Sequence, residues 1–409
     1  MKRVKISSII FAGKQRCVQS GQGGEIIFHI SFEIWMENCI FAIQFAMGNR
    51  MSGNAFRIMK KISLFIFLFS LISCSFAQIT DTLMVPRKDT VVVPKKRLSR
   101  AEMIPRFTAT VLGRYEFNTQ QCTHHFELRH TRIGVSGDLH PMFSYMALVD
   151  LTFGGEFSPV AIFARFKPVK GLSFLIGYDK MPFSNENLLS PWQYYFSDKS
   201  FLTQKITAWS DVGGVVEYKY DKVIPFTLKA GVFNSGGFSR QMQFQKSLNY
   251  VARGTFQFFK GFELSLNYAA VMRENIRMHH VDVGLSYQIG GLHLDAEYIY
   301  KTYADARFKP THALECFAFY TFNINRSWLD NVSLALRYDA ITPNCNGKMD
   351  DLGGYLWDDD RQRITAGVTA YFIEKPVRAG IRLNYEKFFA HSGTDVKDDR
   401  LILELITHF

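Results

Sequence analysis

Cysteine is scarce. Six occur in 409 residues, at positions 17, 39, 74, 122, 316 and 345, with no regular spacing, which excludes both a disulfide framework and a zinc-binding pattern. A membrane-spanning helix is missing as well: it needs about 20 consecutive apolar residues, and the run Leu64 to Ile72 falls well short. The third scarcity is hidden by the formal net charge of +11. Residues 1–77 hold nine Lys and Arg against three Asp and Glu, and residues 78–105 hold six against three, so the chain from 106 onward carries 33 against 31. A strongly basic surface is therefore absent from the main body of the chain, and nucleic acid drops out as an expected partner.

The short apolar run has another use. MKKISLFIFLFSLISCSFAQIT, beginning at Met59, has the three parts of a secretion signal: Lys60 and Lys61, then Leu64 to Ile72, then the small-x-small site Ser75-Phe76-Ala77 ahead of Gln78. Leu71-Ile72-Ser73-Cys74 is a competing lipoprotein-type site, which would leave a lipidated Cys74 at the mature terminus. Residues 1–58 show no sustained period of 2 or 3.6 and would bury the signal inside the chain. They are read as an untranslated or disordered extension, with 59–77 the signal peptide. Residues 78–105, punctuated by Pro86 and Pro94, read as a flexible periplasmic leader.

From Arg106 to Phe409 the dominant pattern is strict alternation. Leu172, Phe174, Ile176 and Tyr178 share a face opposite Ser173, Gly177 and Asp179, and Ile381, Leu383 and Tyr385 lie opposite Arg378, Arg382 and Asn384. Sandwich strands are usually about 5 to 6 residues long. These runs are commonly 10 to 14, the length that crosses a bilayer at a tilt. Sheet edges are not tolerated in lipid, so the set must close. The expectation is an all-β fold: a transmembrane antiparallel β-barrel of about 16 strands, with 14 or 18 as neighbouring counts. Short turns such as Lys260-Gly261 and Gly290-Gly291 alternate with long connections at 181–207, 235–245, 344–360 and 389–397, which segregates them to two membrane faces. Leu401, Leu403, Leu405 and Phe409 alternate to a C-terminal aromatic, the ending read by the barrel assembly machinery. Outer-membrane lipid and lipopolysaccharide are the expected surroundings.

A barrel of this size encloses an aqueous lumen, and its selectivity is set by wall charges and any loop folded inside. Phe126-Glu-Leu-Arg129-His-Thr-Arg132-Ile-Gly-Val-Ser-Gly137, then Phe163-Ala-Arg165-Phe-Lys167-Pro168-Val-Lys-Gly171, then Gly177-Tyr-Asp-Lys180-Met-Pro182-Phe183-Ser184-Asn-Glu186-Asn-Leu188-Leu-Ser190 together resemble the early part of the phosphate-selective porin O and P family. The resemblance implies a sixteen-stranded porin, often a homotrimer, whose channel is narrowed by the loop after the fifth strand; the strand count independently puts Lys180 to Thr207 there. It also implies that basic residues guide anions. By face assignment Arg129, Arg165, Lys167, Lys229, Arg253, Arg337, Arg378 and Arg382 point inward, and Arg132 joins them if a bulge separates it from Arg129. Lys199 and Lys205 hang from the loop. Glu127, Asp150, Asp179, Glu217, Glu263, Asp282, Asp295, Glu297, Asp339, Glu386 and Glu404 also point inward, so a mixed-charge general pore for small hydrophilic solutes stands beside the anion-preferring reading and is favoured by the near-neutral balance from 106 onward.

Enzymatic chemistry finds little footing, and no cofactor is expected. His280, Asp282 and Ser286 share a strand face, but residues two apart along a strand are separated by about 6.6 Å, too far for a nucleophilic relay. A barrel hydrolase is the alternative function, and a Ser or Asp within hydrogen-bond reach of a His on the external or lipid-facing edge would favour it. His124-His125 and His279-His280 are neighbours whose side chains point to opposite faces, which argues against shared metal ligation. The acidic stretch Asp358-Asp359-Asp360, with Asp350 and Asp351, reads as a solvated external loop rather than a calcium site.

Overall fold

The computed structural model describes residues 98–152, 157–273, 276–390 and 398–409. The signal segment, Cys74 and the leader as far as residue 97 lie outside the described residues. Strands run at β1 (Arg106–Asn118), β2 (Thr123–His140), β3 (Phe143–Asp150), β4 (Ser158–Val169), β5 (Leu172–Lys180), β6 (Ser210–Tyr220), β7 (Phe226–Phe233) and β8 (Asn249–Phe259). They continue with β9 (Phe262–Arg273), β10 (Ile276–Ile289), β11 (Leu292–Tyr303), β12 (Thr311–Arg326) and β13 (Leu329–Ile341). A small hairpin, β14 (Asn344–Met349) and β15 (Tyr355–Asp358), precedes β16 (Arg361–Ile373), β17 (Arg378–Ala390) and β18 (Arg400–His408).

Sixteen of these form one closed antiparallel barrel in which each strand pairs with its neighbour in sequence, β13 pairs with β16, and β18 returns to β1. The closing seam matches Thr110 with His408 and Asn118 with Arg400, so it runs nearly the whole length of β18. Among the described residues no helix is long and apolar enough to cross a membrane; the strands do the crossing. The hairpin β14–β15 is a separate two-stranded sheet inside what the sequence reads as a plain loop. Its strands, six and four residues long, are too short to show alternation.

The alternation takes physical form on β13. Leu334, Leu336 and Tyr338 are exposed, whereas Ser333, Ala335, Arg337 and Asp339 are buried. This is the inverse of a soluble sheet: the apolar face looks outward to lipid and the charged face inward. Outward aromatics form a belt near the short-turn end. Phe143 stacks on Phe166 at 4.8 Å, Phe166 on Phe174 at 6.4 Å, and Tyr220 on Phe226 at 5.2 Å. Amphipathic and aromatic rings favour that boundary between hydrocarbon and water. Turns at this end are tight. Gly261 joins β8 to β9 with φ +83°, and a Cβ there would lie 2.0 Å from the Gln288 carbonyl oxygen, so glycine is required.

A lipid-facing charge near mid-strand should be costly in this arrangement. Leu336→Arg is expected to lower the folding free energy by roughly 2–4 kcal/mol, measured by urea unfolding in lipid vesicles; an unchanged midpoint would mean that Leu336 does not face hydrocarbon.

Candidate functional site

The site is built around the loop between β5 and β6, residues 181–209. It contains a helical turn at Asn185–Leu188, a 3₁₀ turn at Pro191–Gln193 and a π-helical turn at Leu202–Thr207. The loop is seated by apolar packing inside the barrel. Met181, Phe183, Phe201, Leu202 and Ile206 meet Phe233, Val251, Ala269, Val271, Ile299, Ala313, Ile341 and Phe388 of the wall in one buried cluster. Burial of these side chains is worth about 1.5–3 kcal/mol each, which offsets the entropy of ordering a long segment. Trp209 packs edge-on against His280 at 4.6 Å.

The middle of the loop is held by a row of arginines. Arg378 donates to the Trp192 carbonyl at 3.0 Å, Arg382 to the carbonyls of Phe196 at 3.2 Å and of Tyr194, Arg337 to that of Asp198 at 2.8 Å, and Arg363 to that of Lys199 at 2.7 Å. The wall also accepts: the Phe201 N–H donates to Asp339 at 2.8 Å and the Ser197 N–H to Asn384 at 2.8 Å. Arg337 and Arg363 are fully buried, with their guanidinium groups 4.5 Å from the Phe196 ring centre and 4.6 Å from that of Phe201. Their charge is answered by Asp339 and Glu386: Arg363 lies 3.0 Å from each, and Arg337 lies 3.3 Å from Asp339. Charges this deep survive only when paired and hydrogen-bonded.

Asp198 is the loop's own contribution. It faces Arg114 at 2.8 Å, Arg129 at 3.4 Å and Arg400 at 2.5 Å. Burial opposes its ionisation, but the guanidinium groups of Arg400, Arg114 and Arg129 outweigh burial and hold the carboxyl below the usual carboxylate range. At the loop's start, the Asn185 N–H donates to Glu297 at 3.0 Å, and Arg253 donates to the Asn185 side chain at 2.7 Å. Gly284 lies beneath, where a Cβ would stand 2.6 Å from Asn185 Nδ2.

The residues singled out in the sequence divide into two groups. Arg337, Arg382 and Arg253 are buried under the loop, joined to it or to Asn185, so the lumen surface assigned to them from face alone is covered. Arg378 is tied to Trp192 in the same way. The other group stays partly open on the wall that the arginine row does not cover. Arg165 lies 3.7 Å and Lys229 2.9 Å from Glu217, which Lys219 also approaches at 3.2 Å. Lys167 lies 3.4 Å from Asp138. Arg132 lies 2.9 Å from Asp150, which His130 contacts at 2.8 Å. A register shift leaves Arg129 as the extra residue between Leu128 and His130, the bulge that brings Arg132 to the same face. On the loop, Lys199 lies over the Tyr194 ring at 5.3 Å, and Lys205 pairs with Asp358 at 2.6 Å. The acidic external stretch is thus partly engaged, since Asp350 also accepts the N–H groups of Leu352 and Gly354.

Sequence reasoning passed over Arg114, Arg363 and Arg400. Arg363 was in phase with the inward face of β16, opposite the exposed Ile364 and Val368. Arg114 was legible in principle, because Tyr115 and Phe117 share the opposite face.

Among the described hydrogen bonds a Ser or Asp meets a His twice, each time on the inward face: Asp150, already paired with Arg132, meets His130 at 2.8 Å, and a serine meets a histidine on β10 and β11. Ser286 Oγ lies 3.0 Å from His293 Nε2. The same Nε2 is the atom nearest Asp295, at 3.8 Å. A relay needs the base nitrogen on the serine and the other ring nitrogen on the carboxylate, so these residues form a polar contact and not a relay.

The arginine row and Asp198 carry distinct expectations. Arg363→Ala removes a guanidinium shared by Asp339 and Glu386, leaving them to Arg337 and Arg400, and should cost up to about 3–5 kcal/mol, read as a lower unfolding midpoint. The depressed Asp198 carboxyl contributes stability that is present above its unfolded value near 4 and lost as pH falls through the lower folded value. Trp192 and Trp209 fluorescence should therefore stay constant from neutral pH down to about 4 and change only in stronger acid; a transition between pH 5 and 7 would overturn this assignment.

The model of the phosphate-selective porin O and P family matches residues 112–279. Among solved structures, Salmonella typhi OmpF in complex with daunomycin aligns with a TM-score of 0.55 at 16% identity, covering 76% of this chain and all of that one. The anion-selective porin from Comamonas acidovorans aligns at 0.53 and 10% identity, covering 75% and 99%. The trimer form of Vibrio cholerae OmpT aligns at 0.52 and 13%, covering 75% and 99%. At these identities the likeness is one of fold. No curated protein matches the sequence. Over residues 112–279, from β1 through the internal loop to β10, the chain is similar to the phosphate-selective porin O and P family.

Proposed function

We propose that the chain is an outer-membrane porin passing small hydrophilic solutes by passive diffusion, with a preference for anions. Its conduit runs along the wall from β2 to β7, because the loop occupies the side facing β8 to β18 and β1. The observation that carries the preference is the pairing on that wall. Glu217 is shared by Arg165, Lys219 and Lys229, and Asp138 is shared by Arg106 and Lys167. Each carboxylate is outnumbered by bases, and the side chains of Arg165, Lys167 and Lys229 are 28, 41 and 29% exposed. Half-solvated cations in a narrow lumen attract anions more strongly than they would on an open surface. The near-neutral balance from residue 106 onward, 33 basic against 31 acidic residues, is an average over the barrel and does not describe this wall.

Arg129, Arg132, Arg165, Lys167, Lys199 and Lys205 are the proposed lining residues, while Arg253, Arg337 and Arg382 position the loop. Export by the signal at Met59 and assembly as a homotrimer belong to the same proposal; the Vibrio cholerae protein of similar fold is described as a trimer.

Planar-bilayer recording is the test. Stepwise conductance with a reversal potential on the anion side is expected in a salt gradient, and Arg165→Glu with Lys229→Glu should move that potential toward cations. Absence of steps would sink the porin reading, and cation preference in the unmodified protein would sink the selectivity.

A further inference from the structure

We propose that Glu116, His125 and Glu127 form a binding site for a divalent transition-metal ion of the zinc class at the lumen mouth on the long-connection side. The hairpin β1–β2 places the three together. Glu116 is directly opposite His125 and Arg114 is directly opposite Glu127, and residues 125 and 127 share a strand face. His124, one residue earlier, turns to the other face beside Tyr115. The adjacent histidines thus do not ligate together; the partners of His125 come across the strand pair.

The donor atoms converge. His125 Nε2 lies 3.8 Å from Glu116 Oε2 and 3.9 Å from Glu127 Oε2, and one donor atom from each residue falls within 4.8 Å of the other two. Among the described residues this is the one such convergence of three His, Cys, Asp or Glu. The separations are too long for hydrogen bonds. Two ligands each about 2.0–2.1 Å from a tetrahedral zinc lie roughly 3.3 Å apart, so His125 must close by about half an ångström on each carboxylate, and the two carboxylates on one another by at most about 1.5 Å, to complete the set. An imidazole with two carboxylates suits zinc, copper, nickel or cobalt better than calcium or magnesium.

The surrounding charges are arranged around the other oxygens. Arg114 pairs with Oε1 of Glu116 at 2.5 Å and with Oε1 of Glu127, leaving both Oε2 atoms toward His125. Arg400 approaches Glu116 Oε2 at 3.6 Å and must yield that contact to the ion; its 2.5 Å and 2.9 Å pairs with Asp198 and Glu386 keep it satisfied. The site opens on a cleft of about 410 Å³ that Glu116 and His125 line together with Lys205, Arg361, Arg363 and Arg400, so remaining coordination positions face water. The siting at a channel mouth rests on the porin reading; metal binding does not.

Zinc titration calorimetry and cobalt visible absorption on the tag-free, refolded full chain test the proposal. One saturable ion per chain is expected. His125→Ala, at a side chain 55% exposed and so without a packing role, should weaken binding at least tenfold, and His124→Ala should leave it unchanged. Glu127→Gln should weaken it similarly while keeping the shape of the side chain. No saturable binding at millimolar zinc, or equal binding by the unmodified protein and His125→Ala, overturns the site. In bilayers, zinc on the long-connection side should change the conductance of the unmodified protein but not of His125→Ala. Binding without any change in conductance overturns the siting at the mouth.

Discussion

Hydrocarbon offers no partner to a backbone N–H or C=O, and everything else in this chain follows from that. The sheet must close on itself, and it does so where β18 pairs with β1 along the run from Thr110–His408 to Asn118–Arg400. Closure at sixteen strands sets a bore that side chains alone do not fill. The inward face, freed from lipid, can carry charge, and a long loop can fold into the space with wall and loop each supplying hydrogen-bonding partners.

The buried ion network follows from this enclosure. Arg337, Arg363, Asp339 and Glu386 would be expensive in isolation, and a network of this kind adds little net stability over a well-packed apolar equivalent. Its contribution is positional. Apolar packing of Phe183, Phe201 and Leu202 holds the loop in the lumen, whereas the directional bonds from Arg378, Arg382, Arg337 and Arg363 fix where along the wall each residue sits.

Much of the barrel was legible because alternation is a strong, repeated signal. The count of about sixteen strands read from the sequence is the count of the closed barrel. The loop's position was equally plain from the rhythm of long and short connections. What alternation cannot report is what lies on top of an inward residue. Arg165 and Arg337 have the same status in sequence, an arginine in phase with small or polar neighbours, yet one is open to the lumen and the other is sealed beneath Phe196. That distinction is tertiary, set by where a loop far away in sequence comes to rest. The Arg129 bulge was legible only as a condition, since two arginines three apart cannot share a face of a regular strand. Hairpin β14–β15 was lost because strands of six and four residues leave no period to detect.

The arginine row grips the loop through main-chain carbonyls at Trp192, Tyr194, Phe196, Asp198 and Lys199. A carbonyl is present whatever the side chain, so the attachment is largely indifferent to the identity of the residues it holds. Gln193, which is exposed, and Tyr195 and Lys199, which are half-buried, can therefore change without releasing the loop. Anchorage is thus written in the main chain of the segment and leaves its open side chains uncommitted to the fold.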